Sequence, residues 1–122
     1  MSKTIMVVDD SASMRQVVGI ALKGAGYSVI EARDGTDALF KLNGQKVHLI
    51  ISDVNMPVMD GISFVKKVKQ LPNYRFTPIL MLTTESEEQK KREGHAAGAR
   101  AWMVKPFKSE QLLNAVQKLC LA

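Results

Sequence analysis

The chain has 122 residues, is 46% hydrophobic and 24% charged, and carries 17 basic and 12 acidic side chains for a net charge of +5. Those proportions suit a single water-soluble domain with one core. The lone cysteine, Cys120, excludes an intramolecular disulfide and a Cys-based zinc site and reads as a buried structural thiol. No apolar run approaches about 18 residues and no secretory h-region opens the chain, so the expected location is cytoplasmic, with no membrane contact.

The elements follow in order. An apolar run, Ile5–Val8, ends at Asp9-Asp10. Met14, Val17, Val18, Ala21 and Leu22 then recur at helical spacing, and Gly24 and Gly26 close that helix. A second run, Val29–Glu31, ends on Glu31-Ala32-Arg33, which fit no evident role. Asp34-Gly35 turns the chain into a short helix over Thr36–Leu42. A third run, Val47–Ile51, delivers Asp53, followed by Asn55, Met56, Pro57 and the turn Asp60-Gly61. The third helix spans Ile62–Leu71 and stops before Pro72. A fourth run, Ile79–Leu82, ends at Thr83-Thr84-Glu85, ahead of a helix over Ser86–Ala97 that is polar on most sides. The fifth run, Trp102–Val104, ends at Lys105-Pro106-Phe107. Ser109 reads as the N-cap of a last helix striped by Leu112, Val116, Leu119 and Cys120.

Three of the runs are largely continuous in Val, Ile, Leu and Met, the mark of strands buried on both faces. Five strands alternating with five helices argue an α/β fold built on a doubly wound parallel sheet, with right-handed crossovers placing helices on two faces. Functional residues in such sheets gather at the carboxyl ends of the strands. There the sequence places Asp9, Asp10, Asp53, Thr83 and Lys105.

Each of these has a plain structural role open to it. Asp9-Asp10 before a helix serves capping and the helix dipole; Thr83 or Thr84 can cap the next helix; Lys105 can be a loop charge. Met56 and Met59 read as packing residues, His48 as a satisfied core histidine and His95 as solvated. Their joint placement points to chemistry. Three clustered carboxylates raise one another's pKa, and a divalent cation relieves the repulsion. An all-oxygen set suits Mg²⁺ better than Zn²⁺. Asp53 beside such an ion can attack a phosphoryl group and form an acyl phosphate, with Lys105 and Thr83 on the phosphoryl oxygens.

The residues VVDDS at 7–11, SDVNMPVMDG at 52–61, LTTE at 82–85 and KPF at 105–107 resemble the receiver domain of bacterial response regulators, most nearly the single-domain chemotaxis regulators of the CheY type. The resemblance runs from residue 4 to about residue 121. It implies a flavodoxin-like five-stranded sheet of order 2-1-3-4-5 and a single receiver domain over 1–122 with no output domain. Asp53 is then the phosphoacceptor, charged by a histidine kinase. Asp10 ligates Mg²⁺ directly, Asp9 largely through water, and the Asn55 backbone carbonyl completes the protein ligands. Thr83 and Lys105 engage the phosphoryl group, and the Lys105–Pro106 peptide is cis. Asn55, Thr84 and Glu85 sit where the family tunes the lifetime of the acyl phosphate.

Such a chain is a switch and not an enzyme in the turnover sense, catalysing only its own phosphorylation and dephosphorylation. The implied output is the face of the fourth helix, fifth strand and fifth helix. The implied partners are a chemotaxis-type histidine kinase, the flagellar motor switch protein and a phosphatase, met by a monomer. The alternative is a phosphate sink or phosphorelay intermediate that does not bind the motor. Trp102 stands where the family usually has Tyr or Phe, the aromatic that swings inward on activation, and Thr84 where Ala or Gly is common. The two are expected to crowd the inward position.

Other classes fit less well. A phosphatase with an Asp nucleophile needs an acid two residues later, where Asn55 stands. No Gly-rich dinucleotide or P-loop pattern follows the first strand. The longest basic run, Lys90-Lys91-Arg92, has acids on both sides, and Lys66, Lys67, Lys69 and Arg75 read as a solvated helix face, so no nucleic-acid partner is expected.

Overall fold

The computed structural model describes residues 3–56, 58–84 and 88–120. Five strands, β1 (Thr4–Val8), β2 (Ser28–Ala32), β3 (Leu49–Asp53), β4 (Ile79–Thr83) and β5 (Ala101–Val104), alternate with five helices. The helices are α1 (Ala12–Gly24), α2 (Gly35–Leu42), α3 (Gly61–Lys69), α4 (Glu88–Ala97) and α5 (Ser109–Cys120). The strands pair in parallel in the order β2-β1-β3-β4-β5. This is the doubly wound sheet that the continuous apolar runs imply.

Two apolar layers sandwich the sheet, and each strand feeds both by alternation. Ile5, Val7, Leu49, Ile51, Leu80 and Leu82 pack with Val18 and Leu22 of α1 and Leu112, Val116 and Cys120 of α5. Met6, Val8, Ile50, Ile79 and Met81 pack with Ala38 and Leu42 of α2 and with Phe64, Val65 and Val68 of α3. Cys120 is a buried thiol in the first layer, and burial pushes its pKa up.

Helix starts are fixed by short side chains that accept from the first-turn N–H groups, which have no partner within the helix. Ser11 accepts from Met14, Asp34 from Asp37 and Asp60 from Ser63. At α5 the expectation fails by one position. Ser109 is the first helical residue, and Gln111 Oε1 instead accepts from the Lys108 backbone N–H at 3.0 Å. That is the returning half of a capping box, so Lys108 holds the cap position.

Strand β3 starts two residues later than the apolar run. His48 explains this: its Nδ1 accepts from the Thr4 N–H at 3.0 Å while its own N–H donates to the Thr4 carbonyl at 2.8 Å. The ring thus replaces a ladder acceptor, which is a structural role for His48. His95 is exposed, but its Nδ1 lies 3.1 Å from the Ala99 carbonyl oxygen. Lys66 and Lys67 do form a solvated face. Lys69 departs from it: its ammonium donates to the Thr77 carbonyl at 2.5 Å. Its stem lies where a Cβ on Gly98 would stand 2.8 Å from Cγ. Ser86, the expected start of the fourth helix, lies outside the described residues.

The parallel register aligns the strand ends. Val8 is level with Ala32 and Ser52, Asp53 with Leu82, and Thr83 with Val104. Every residue immediately beyond or closing these strands therefore faces one edge. Phe64 fastens α3 beneath that edge and is fully buried. Phe64→Ala is expected to lower stability by about 3–5 kcal/mol, read as a lower urea midpoint with an unchanged slope.

Candidate functional site

At the carboxyl edge, Asp9, Asp10 and Asp53 bring carboxylate oxygens within 4.8 Å of one another. Asp9 follows β1 and is held twice: its N–H donates to the Ala32 carbonyl at 3.1 Å, and its Oδ1 accepts from the Ser11 N–H at 2.9 Å. Asp10 is exposed at the mouth. Asp53 closes β3 and is only 8% exposed; its Oδ1 accepts from the Val54 N–H at 2.8 Å. Lys105, just past β5, sets its ammonium 3.2 Å from Asp9 Oδ2 and 3.5 Å from Asp53 Oδ1. The Lys105 N–H donates to the Thr83 carbonyl at 2.7 Å, and the Lys105–Pro106 peptide is cis. Thr83, fully buried, closes β4 beside Asp53. Of the residues singled out by sequence, Glu85 lies outside the described residues, while Asn55 and Thr84 are exposed.

Among the described residues, the edge holds more negative charge than the Lys105 ammonium balances. Three carboxylates against one lysine leave two negative charges, which a divalent cation neutralises. The donors are oxygens throughout, as Mg²⁺ requires. Burial drives the Asp53 carboxyl above its usual pKa; Lys105 opposes this, Asp9 adds to it, and the Val54 and Asn55 backbone N–H groups oppose it.

Three supporting residues are not legible as such in the sequence. Arg15 donates from Nη1 to the Asp9 carbonyl at 2.6 Å and pairs with Glu31 at 3.3 Å, which gives Glu31 a role. Gly61 touches the back of Asp53. A Cβ there would collide with the Asp53 carbonyl oxygen, and the Gly61 N–H donates to the Val54 carbonyl at 2.7 Å. Gly94 of α4 lies against Trp102, where a Cβ would stand 2.7 Å from the indole Cζ3.

Trp102 is half-buried and packs with the layer of α2 and α3. Its Nε1–H is buried with no partner among the described residues, an uncommon arrangement. Thr84 is exposed, and Gly94 lies close against the ring. The missing side chain at 94 makes room for an indole against α4.

Comparison with known proteins agrees with this geometry. Residues 5–117 match the response regulator receiver domain family. The fold superposes on the chemotaxis protein CheY4 of Vibrio cholerae with a TM-score of 0.94 and 51% identity, over 98% of this chain and 99% of that one. It also superposes on the receiver domain of the Pseudomonas aeruginosa sensor histidine kinase PA1611, whose structure has a magnesium ion coordinated in the active site cleft, with a TM-score of 0.92, 27% identity and complete coverage of both chains. The alkaline phosphatase synthesis transcriptional regulatory protein PhoP of Bacillus subtilis is 42% identical over 99% of this chain. This chain spans about half of that regulator's length, 49%. The chain belongs to the response regulator receiver domain family.

Two outcomes follow from the site. A raised folded-state pKa at Asp53 means that the folded chain binds a proton more tightly than the unfolded one. Stability therefore falls as pH rises from the ordinary Asp range through the raised value. With a chelator present, Asp53→Asn is expected to melt a few degrees above the parent at pH 7, and the gap to close as pH falls toward 4; thermal unfolding across pH reads this. Gly94→Ala is expected to push the indole off α4. Because Trp102 is the chain's one tryptophan, its emission should shift to the red, alongside a lower melting temperature.

Proposed function

We propose that this receiver domain is a phosphorylation-activated switch of a two-component system, of the chemotaxis kind, with Asp53 as phosphoacceptor. The observation that carries the reading is the recessed Asp53 carboxylate, with Asp9 and Asp10 oxygens within 4.8 Å and the Lys105 ammonium 3.5 Å away. Asp10, Asp53 and the Asn55 backbone carbonyl would hold one Mg²⁺, with Asp9 engaging it largely through water. The ion, when bound, supplies positive charge beside the phosphoryl oxygens.

The chain's own residues do the rest. An Asp53 carboxylate oxygen attacks phosphorus, the new O–P bond forms as the donor's bond to phosphorus breaks, and an acyl phosphate results. Lys105 offsets the charge carried by the phosphoryl oxygens, and the Thr83 hydroxyl donates to one of them. Both are held in place before reaction, Lys105 by its backbone bond to Thr83 and Thr83 by burial in β4. Such preorganisation is most of what phosphoryl transfer requires. Asn55, in place of a second acid, offers no carboxylate to activate water, which favours a lasting signal over turnover.

The donor is a histidine kinase and the setting is the cytoplasm; no helix among the described residues is long and apolar enough to cross a membrane. The new charge biases the face of α4, β5 and α5, through which the signal passes to a protein target such as the flagellar motor switch. A phosphatase partner ends the signal. The indole seated against Gly94 lies within that face and favours a second reading, in which the chain stores or relays phosphate without engaging the motor. A pull-down of the motor switch protein by the phosphorylated chain separates the two.

Incubation with acetyl phosphate and Mg²⁺ is expected to label Asp53, identified by peptide mapping. Chelation should abolish the label, and so should Asp53→Asn. Undiminished labelling of that variant defeats the assignment.

A further inference from the structure

Each polar atom of Asp9 has a partner, and the partners come from four places in the fold. The Asp9 N–H donates to the Ala32 carbonyl at the end of β2. Its Oδ1 accepts from the Ser11 N–H ahead of α1, and its Oδ2 lies 3.2 Å from the Lys105 ammonium past β5. Its carbonyl accepts from Arg15 Nη1 of α1 at 2.6 Å. That last bond bears on more than Asp9, because the carbonyl belongs to the peptide unit joining Asp9 to Asp10. A peptide unit is planar, so holding its oxygen restricts the direction in which Asp10 leaves it.

Arg15 is itself held from behind. Its Nε lies 3.3 Å from Glu31 Oε1, and its side chain is 14% exposed. Glu31 sits in β2, level with Val7, and its carbonyl accepts from the Lys41 ammonium of α2 at 2.6 Å. As an ion pair the Arg15–Glu31 contact contributes little, since the Glu31 side chain is 44% exposed. As an orienting contact it does more. A guanidinium is a rigid planar fork. With Nε on the Glu31 carboxylate, the direction of Nη1 toward the Asp9 carbonyl is set.

We propose that Arg15 is a positioning residue of the metal site, oriented by Glu31, and that it raises Mg²⁺ affinity by fixing the peptide unit between Asp9 and Asp10. The inference rests on the reading of the acidic edge as a Mg²⁺ site. Arg15 acts through the backbone that presents the carboxylates. Outer residues that orient metal ligands commonly carry ten-fold or more of the affinity. Charge and position predict opposite signs here. Arg15 is a cation close to a cation site, so its charge alone opposes Mg²⁺, and removing that charge tightens binding. Loss of the position it enforces weakens binding.

The test is calorimetric titration with MgCl₂ at fixed ionic strength, each chain held well below its melting temperature. Arg15→Met removes the charge and the fork. Arg15→Lys keeps the charge and loses the fork. Both are expected to bind Mg²⁺ about ten-fold more weakly than the parent. Glu31→Gln should weaken binding about three-fold in the parent and leave Arg15→Met unchanged, because Glu31 acts through Arg15. Affinity within two-fold of the parent, or tighter, in either folded Arg15 variant overturns the proposal. So does a loss of folding in both, since Arg15 then serves the fold and not the site. An equal loss from Glu31→Gln in both backgrounds overturns the role given to Glu31. A parent chain that binds no Mg²⁺ overturns the reading of the edge as a metal site.

Discussion

Three carboxylates held at one edge of a buried sheet repel one another, and most of the site is an answer to that repulsion. Asp53 cannot escape into solvent, because β3 is the central strand and its last residue is covered on both faces. The chain replaces water with fixed dipoles from Val54 and Asn55 and with one ammonium from Lys105. These leave the charge incompletely balanced, and Asp53 is held above its ordinary pKa. The imbalance is what suits the edge to a divalent cation. A site satisfied by its own side chains would have little affinity for one. Fold and chemistry thus pull in opposite directions at Asp53, as they commonly do where function is built.

Much of this is legible in the chain. Continuous runs such as Ile79–Leu82 fit only strands covered on both faces, and once five runs alternate with helices the strand ends must meet at one edge. That is why the sequence alone places Asp9, Asp53, Thr83 and Lys105 together, although they lie up to 96 residues apart. Boundaries are less legible where a side chain substitutes for backbone. His48 takes a ladder position from the run before β3, and Gln111 moves the start of α5 by one residue. Neither substitution leaves a mark in hydrophobic periodicity.

Glycines are the least legible of all. In sequence, Gly61 is ordinary punctuation after Asp60, and Gly94 is a weak residue in a polar helix. In space each is a surface that something else touches, the Asp53 carbonyl in one case and the Trp102 ring in the other. Trp102 stands out in sequence as an unusual aromatic, and Thr84 is the neighbour that its place near the site suggests. A close contact on the ring comes from Gly94 of the adjacent helix, which no local pattern reports. An indole fills the gap that Gly94 leaves, and its N–H makes the filling polar as well as large.

The ring closed by the Gly61 N–H and the Val54 carbonyl has a mechanical meaning. It ties the first turn of α3 to the strand that ends in Asp53 by a short stretch of backbone, with no space for either to slide. Helix α3 is therefore part of the frame against which any displacement at the edge is measured. On the other side, α4 lies against β5 where the Trp102 ring meets Gly94, and α4 also packs on α3. Two glycines thus set where the two helices stand, one against the end of a strand and one against the face of a ring.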